Sequence, residues 1–242
     1  MKPETKNQTT STNRLNGEQI PIKGTPEERV SITPLKERVL IVAIKGLTPL
    51  KVLRFSEKAK NEMMKNQQAG SQAKSKKIRT ARDFNADYEQ AKFICKDPKN
   101  LEWLGINATG IRNACIETCR MCGFVMTKAR MSIFVLEDGF DKFDRTPLVR
   151  IEGDPEISID PVRNANGGAD LRARVCFPEW KAYPMIRFDE DQFSVSDVLN
   201  LMVRVGKQNG LGEGRPNSSN GNGCGNGIFE VLHDECKLIK KE

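Results

Sequence analysis

LRARVCFPEWKAYPMIRFDEDQFSVSDVLNLMVRV, residues 171–205, changes its hydrophobic period part-way along, and that change decides the fold class. Leu171 to Phe177 and Tyr183 to Phe188 read as strands, and the intervening PEWKA suits the turn of an antiparallel pair. Ser194 followed by Asp197 is a capping-box-like helix start, after which Val195, Val198, Leu199, Met202 and Val205 fall at helical spacing. Gly206 should stop that helix. The tract GKQNGLGEGRPNSSNGNGCGNG (206–227) is loop by composition, and Ile228 to Leu232 reads as a closing strand.

Upstream, RVLIVAIK (38–45) is a short β-branched run of the kind that forms a buried strand, ended by Gly46 and Pro49. Residues 56–67 have helical composition with Ser56 as N-cap, and 69–85 hold glycine, serine and charge with few apolar anchors. Asn107 or Thr109 can cap a helix running to about Met121, with Gly123 at its C′ position. Ser132 to Leu136 and Leu148 to Ile151 read as further strands, separated by the turn-like EDGFDKFD. In order, the elements are strand, long insertion, helix, strands, helix, strand. That order predicts an α+β chain with a ferredoxin-like or RNA-recognition-type βαββαβ core, a long basic insertion after the first strand and a C-terminal glycine-rich loop. The expected division is a disordered polar tail over 1–30, a single domain over 31–233 with its insertion at 51–86, and a charged tail over 234–242.

Charge is concentrated in that insertion. Of a net +7, the segment from Lys51 to Arg82 carries ten basic residues against Glu57 and Glu62, so the rest of the chain is close to neutral. A basic element on a neutral body is the electrostatic footprint of a polyanion binder, and equally of a solvated, flexible insertion. No run of the sequence approaches the ~18 apolar residues of a membrane helix, and the polar start lacks the apolar region of a secretory signal. Seven cysteines without such a signal do not suggest a disulfide framework, and a single histidine, His233, argues against a histidine-based triad. A soluble, cytoplasmic protein with no membrane partner is expected.

Three motifs carry candidate chemistry. Cys115-x3-Cys119-x2-Cys122 has the spacing with which radical-SAM enzymes hold an iron–sulfur cluster; on a helix the same three residues fall within roughly 60° of one another, in line with Ile111, as an apolar stripe. The glycines of 206–227 permit close approach of backbone to a phosphodiester, or simply a flexible hairpin, and no GxxxxGK[ST] nucleotide loop is present. GINATGIR (105–112) brings glycine, threonine and Arg112 to a helix start, where a phosphate or an ordinary cap would be satisfied. Asp83, Asp87, Asp138, Asp141 and Asp144 are scattered through loop-like segments, with no pair identifiable as a metal or acid/base site.

Taken together, TPLKVLRFS (48–56), the basic insertion, GINATGIRNACIETCR (105–120) and the ending VGKQNGLGEGRP (205–216) with the strand IFEV resemble the RAMP superfamily, the ferredoxin-like backbone subunits of CRISPR effector complexes. The ending GLGEGRP (210–216), the closing strand and FPEW (177–180) are still more similar to a group of solitary phage-encoded relatives, and the match spans roughly residues 35–232. The resemblance implies a non-enzymatic protein without cofactors that coats single-stranded DNA or RNA as a homo-oligomer, in a host cytoplasm if phage-encoded. By position it brings Arg112, Gly212, Arg215 and Gly225 to phosphates, and makes a thumb-like element of the insertion, with Lys51, Arg54, Lys58, Lys74, Lys76, Lys77, Arg79 and Arg82 as its cations. The tract Asn217–Asn226 adds no cations, and no aspartate stands where some RAMP subunits cleave RNA. Phe177 and Trp180 could stack a base. Two alternatives remain: an iron–sulfur, radical-SAM-like enzyme using Cys115, Cys119 and Cys122, and a phage structural or assembly protein.

Overall fold

The computed structural model describes residues 14–15, 18–19, 32–55, 57–69, 82–97, 99, 101–163, 168–218 and 224–239. The chain divides into two compact units, Met1–Pro34 and Leu35–Glu242. In the first, β1 (Arg14–Leu15) pairs with β2 (Glu18–Gln19) in antiparallel fashion. The remaining residues of the polar tail expected over 1–30 lie outside the described residues.

The second unit is mixed α+β, with several antiparallel sheets; its α-helices among the described residues are α1 to α5. In chain order it comprises β3 (Glu37–Ile41), β4 (Ile44–Gly46), β5 (Leu50–Val52), α1 (Glu57–Ala69), α2 (Phe84–Ala91), β6 (Ile94–Lys96) and β7 (Glu102–Asn107). Then follow α3 (Ala108–Met121), α4 (Met126–Ser132), β8 (Ile133–Leu136), β9 (Gly139–Phe140), β10 (Pro147–Glu152), β11 (Glu156–Arg163) and β12 (Ala169–Phe177). The chain continues through β13 (Lys181–Ala182), β14 (Met185–Asp189), α5 (Val195–Arg204), a π-helical turn (Val205–Asn209), β15 (Phe229–Val231) and β16 (Lys237–Ile239). Among the described residues no helix is long and apolar enough to cross a membrane.

The run expected as one strand over 38–45 forms two, β3 and β4, which pair in one register with β14 and β13 but belong to different sheets. Glu37 faces Asp189 and Ile41 faces Met185, then Ile44 faces Ala182 and Lys45 faces Lys181. The interruption falls where Val42 donates to the carbonyl of Pro184, which has no N–H to return. On the far edge, Phe229 faces Gly46 and Lys237 faces Ile41. The segment after His233, expected as a tail, thus contributes a paired strand. The other edge of β13–β14 is met by β8, with Met185 facing Leu136, and by β10, with Ile151 facing Ala182. Beyond β10 the sheet extends to β7 and β6.

The expected pairing of Leu171–Phe177 with Tyr183–Phe188 does not form. β12 pairs instead with β11, from Glu156 facing Cys176 to Arg163 facing Ala169, and with β5, where Cys176 faces Lys51. Trp180 explains the corner between the two strands: it is buried, donates its indole N–H to the Thr48 carbonyl at 2.9 Å, and lies where a Gly46 Cβ would meet its ring. The chain is pinned there as it leaves one sheet for the next.

Helix boundaries follow local chemistry. Ser194 and Asp197 form the reciprocal capping box, and Gly123, at φ 73°, ends α3 in a Schellman motif with Phe124 N–H on the Cys119 carbonyl and Gly123 N–H on Arg120. α3 packs on β8, β10 and α5, and α5 on β15. Leu40, Val42, Ile44, Ile186 and Phe188 of the sheet meet Ile111, Cys115, Val198 and Met202 of these helices in one core. Burying each large side chain contributes about 1.5–3 kcal/mol before conformational entropy is subtracted.

Candidate nucleic-acid interface

Two of the sequence motifs meet across a cleft of about 210 Å³. Asn107 ends β7 and caps α3, its Oδ1 accepting the Thr109 N–H at 2.8 Å. With Ile111 and Cys115 turned into the core, Gly110, Asn113 and Glu117 come round to the cleft, facing Gly210–Glu213 and Arg215 of the glycine-rich loop. A Cβ on Gly110 would meet nothing within 4 Å, so the first turn of α3 is approachable there. The first N–H groups of a helix lack intrahelical acceptors and carry its positive end, which favours an anion at this position.

The glycine-rich loop is a built element rather than a plain hairpin. Leu211 donates to the Gly227 carbonyl at 3.0 Å, Glu213 to Lys51 at 2.7 Å and Gly227 to Pro49 at 2.9 Å. Thr48 Oγ1 donates to the Gly225 carbonyl and accepts from Ile228 N–H. These bonds press the loop onto β5, and they leave no space at two glycines: a Cβ would stand 2.3 Å from the Lys51 carbonyl at Gly212 and 1.9 Å from the Leu211 carbonyl at Gly227. Both residues have positive φ. The loop is tied to α3 by Asn209, which donates to the Ala114 carbonyl at 3.0 Å, and by Asn217, which donates to Glu117 at 2.8 Å. Glu117 is thereby supplied with amide donors, and Glu213 meets Arg174 at 3.4 Å.

The cations singled out from sequence are dispersed. Arg215 lies on the cleft, with one Nη on the Gly212 carbonyl at 3.2 Å. Lys51 meets Asp160 at 2.6 Å, and Arg174 meets the other oxygen of the same carboxylate at 3.2 Å. Burial pushes the Asp160 pKa up; the bonds from Lys51, Ser158 and Arg174 outweigh it and hold the group below the usual carboxylate range. Arg82 is shared between Asp87 and Asp170 at 2.9 and 2.7 Å. Arg54 is 3% exposed: its Nε donates to the Gln90 and Lys92 carbonyls and its guanidinium lies over Phe143, so it braces α2 and is not at the surface. Arg112 likewise clamps α4 to β8 through the carbonyls of Arg130 and Ile133, stacked on Phe134. Lys58 falls in α1, where Lys60 and Lys65 are exposed; the Lys58 side chain and residues Lys74, Lys76, Lys77 and Arg79 lie outside the described residues.

The cysteine triplet divides. Cys115 and Cys119 are buried in α3, Cys115 against the Met202 sulfur at 3.6 Å, whereas Cys122 is exposed at the C-cap and not part of the expected stripe. Burial pushes the Cys115 thiol up to about 12 and Cys119 to about 11, away from the thiolate form that binds metal. Among the described residues no three His, Cys, Asp or Glu side chains converge on a possible metal position.

No model of a known protein family matches the chain, and no curated protein matches it. Sequence reading missed Asn209, Asn217, Glu117 and Thr48, the residues that hold the cleft together. Each is an ordinary polar residue whose partner lies far along the chain, so no local spacing marks it.

Proposed function

We propose that this chain binds single-stranded nucleic acid through its phosphates, without catalysing a reaction, on a ferredoxin-like core of the RAMP type. The observation that carries the reading is the cleft, which sets the first turn of α3 and the glycine-rich loop against each other although they lie some hundred residues apart in sequence. The strand order supports the core: β15 neighbours β4 and then β13, and β3 neighbours β14 and then β8, all antiparallel, with α3 and the short α4 before β8 and α5 before β15. Gly110, Asn113, Gly212 and Arg215 would take a phosphate, and Lys60 and Lys65 with Lys58, Lys74, Lys76, Lys77 and Arg79 would add long-range attraction. Lys51, Arg54, Arg82 and Arg112 act within the protein as structural cations.

Binding of this kind releases counterions, so the logarithm of affinity should fall linearly with that of salt, with a slope of about −0.7 per neutralised phosphate on a single strand. The test is a salt titration of fluorescein-labelled single-stranded DNA and RNA against the wild type and a Lys74/Lys76/Lys77/Arg79→Ala variant. A slope that shrinks by roughly 3 in the variant is expected; a flat response, or an unchanged one in the variant, would overturn the proposal. Coating of the strand by a homo-oligomer predicts sedimentation coefficients that rise stepwise with strand length.

A further inference from the structure

A second cavity, of about 510 Å³, lies between the β6–β7 hairpin and the turn that follows β9. Trp103 and Phe140 provide aromatic surface, and Lys96, Lys142 and Arg145 supply cations around it. Asp97 and Asp138 also line it, their carboxylates taken up by the backbone N–H groups of Lys99 and Arg150. The space depends on Gly139: a Cβ there would stand 2.5 Å from Cys95 Sγ and 3.0 Å from the Trp103 ring, so the indole lies directly against bare backbone. Phe140 beside it is 45% exposed.

The turn that brings the cations is held in an unfavourable conformation. Arg145, at φ 62°, is the non-glycine residue in the left-handed region among the described residues. Asp141 enforces it: the buried carboxylate accepts the N–H groups of Ile94, Phe143 and Asp144, and the Asp141 carbonyl accepts that of Arg145. The result carries the Arg145 guanidinium over Phe140, 5.8 Å from the ring centre. Lys142 is paired with Glu102 at 2.9 Å, and Lys96, which faces Glu102 across the ladder, adds to the field that lowers the pKa of that carboxylate; among the described residues Arg145 has no ion-pair partner. Aromatic faces beside cations of which Arg145 has no carboxylate partner suit a planar ligand with an anionic group, and nucleotides combine those two properties.

We propose that this cavity is a nucleotide pocket, in which a base of the bound strand stacks on Trp103 and Phe140 while Lys96 and Arg145 meet its phosphate. The proposal rests on the nucleic-acid reading above and extends it. β7 links the two places: Trp103 stands near its start and Asn107, the α3 cap, at its end, about 14 Å apart at the usual strand rise, a reach of about four stacked nucleotides.

The protein carries its own reporter. It has two tryptophans, and Trp180 is 4% exposed with its N–H on Thr48, so a base entering the cavity quenches Trp103. Emission is followed while a single-stranded oligonucleotide, an abasic strand of equal length, AMP, ribose 5-phosphate and inorganic phosphate are each added, with anisotropy reporting strand binding separately. Quenching by the base-containing strand and by AMP, but not by their base-free counterparts, is expected. Trp103→Ala and a Lys96/Arg145→Ala variant should weaken strand binding on the order of tenfold, and Trp103→Phe, which keeps an aromatic face and the fold, should retain most of it. Binding of the strand without quenching, or equal affinity for the abasic strand, would overturn the pocket and leave phosphate binding standing. If no strand binds, the function falls, and AMP alone decides the pocket: quenching that ribose 5-phosphate does not reproduce sustains it, and its absence overturns it.

Discussion

The side-chain amide of Asn209 donates to the carbonyl of Ala114 at 3.0 Å, joining the start of the glycine-rich loop to the middle of α3 across 95 residues. Asn209 is fully buried and its nitrogen also faces the Glu117 carboxylate at 3.5 Å. The site therefore requires a donor. Asn209→Ala should cost about 1 kcal/mol, because the lost bond is partly offset by removing an Oδ1 that has no partner. Asn209→Asp sets a buried carboxylate against a carbonyl and a second carboxylate, and should cost about 3 kcal/mol or more. Urea unfolding of both variants checks the order, and an Asp variant as stable as the Ala variant would contradict it.

Two neighbouring glycines in the same loop should respond differently to alanine. Gly225 and Gly227 share positive φ, near 70°, and left-handed backbone costs a residue with a Cβ about 1–2 kcal/mol. At Gly225 the nearest atom to a Cβ would be Ile228 at 3.8 Å, ordinary contact; at Gly227 the Leu211 backbone would be 1.9 Å away. Gly225→Ala should thus lose only the conformational cost, whereas Gly227→Ala should displace the loop from β5 as well. Thermal melts should rank Gly227→Ala well below Gly225→Ala, and strand binding should fall with it.

Such differences mark the boundary of what the sequence makes legible. The capping box at Ser194–Asp197 and the Gly123 terminus of α3 are local and periodic, and they stand where residue spacing puts them. Strand partners are not local: Leu171–Phe177 alternates well enough to be a strand, but nothing in that pattern says that it meets Leu50–Val52 rather than Tyr183–Phe188. Charge behaves the same way. A count of lysines and arginines cannot show that Lys51 is met by Asp160, 109 residues away, or that Arg54 is interior. Trp103 and Phe140 belong to separate hairpins, and the cavity exists only once β6 and β9 are side by side.

Asp160 joins β11 to both Lys51 and Arg174, so its protonation should weaken the fold. Its folded pKa is depressed, and the stability it contributes is present above the unfolded value, near 3.9, and is lost as pH falls through the folded value. Asp160→Asn should cost about 1–3 kcal/mol at neutral pH, leaving Arg174 and Lys51 without their shared carboxylate in a half-buried setting. Below pH 4 the variant and the wild type should converge. Denaturant midpoints measured from pH 7 to pH 2.5 decide this, and parallel curves would dismiss the role given to Asp160.

At the alkaline end the thiols of α3 take over. Cys122 and Cys224 are exposed and should react first with a thiol-disulfide reagent in the native state, while Cys115 and Cys119 should wait for unfolding. Burial raises Cys115 to about 12 and Cys119 to about 11, above their unfolded values near 8.5. A raised folded pKa means stability that is whole below the unfolded pKa and declines as pH climbs toward the folded one. Between about pH 9 and 11 Cys115 should therefore remove up to roughly 1.4 kcal/mol per pH unit, and Cys119 progressively less as pH nears its folded value. Cys115→Ala opens a small cavity against Met202 and lowers stability at pH 7, yet it deletes one titrating group, so its loss above pH 9 should be shallower than that of the wild type. Unfolding midpoints across pH 7–11 compare the slopes, and an equal or steeper decline in Cys115→Ala would refute the buried-thiol assignment.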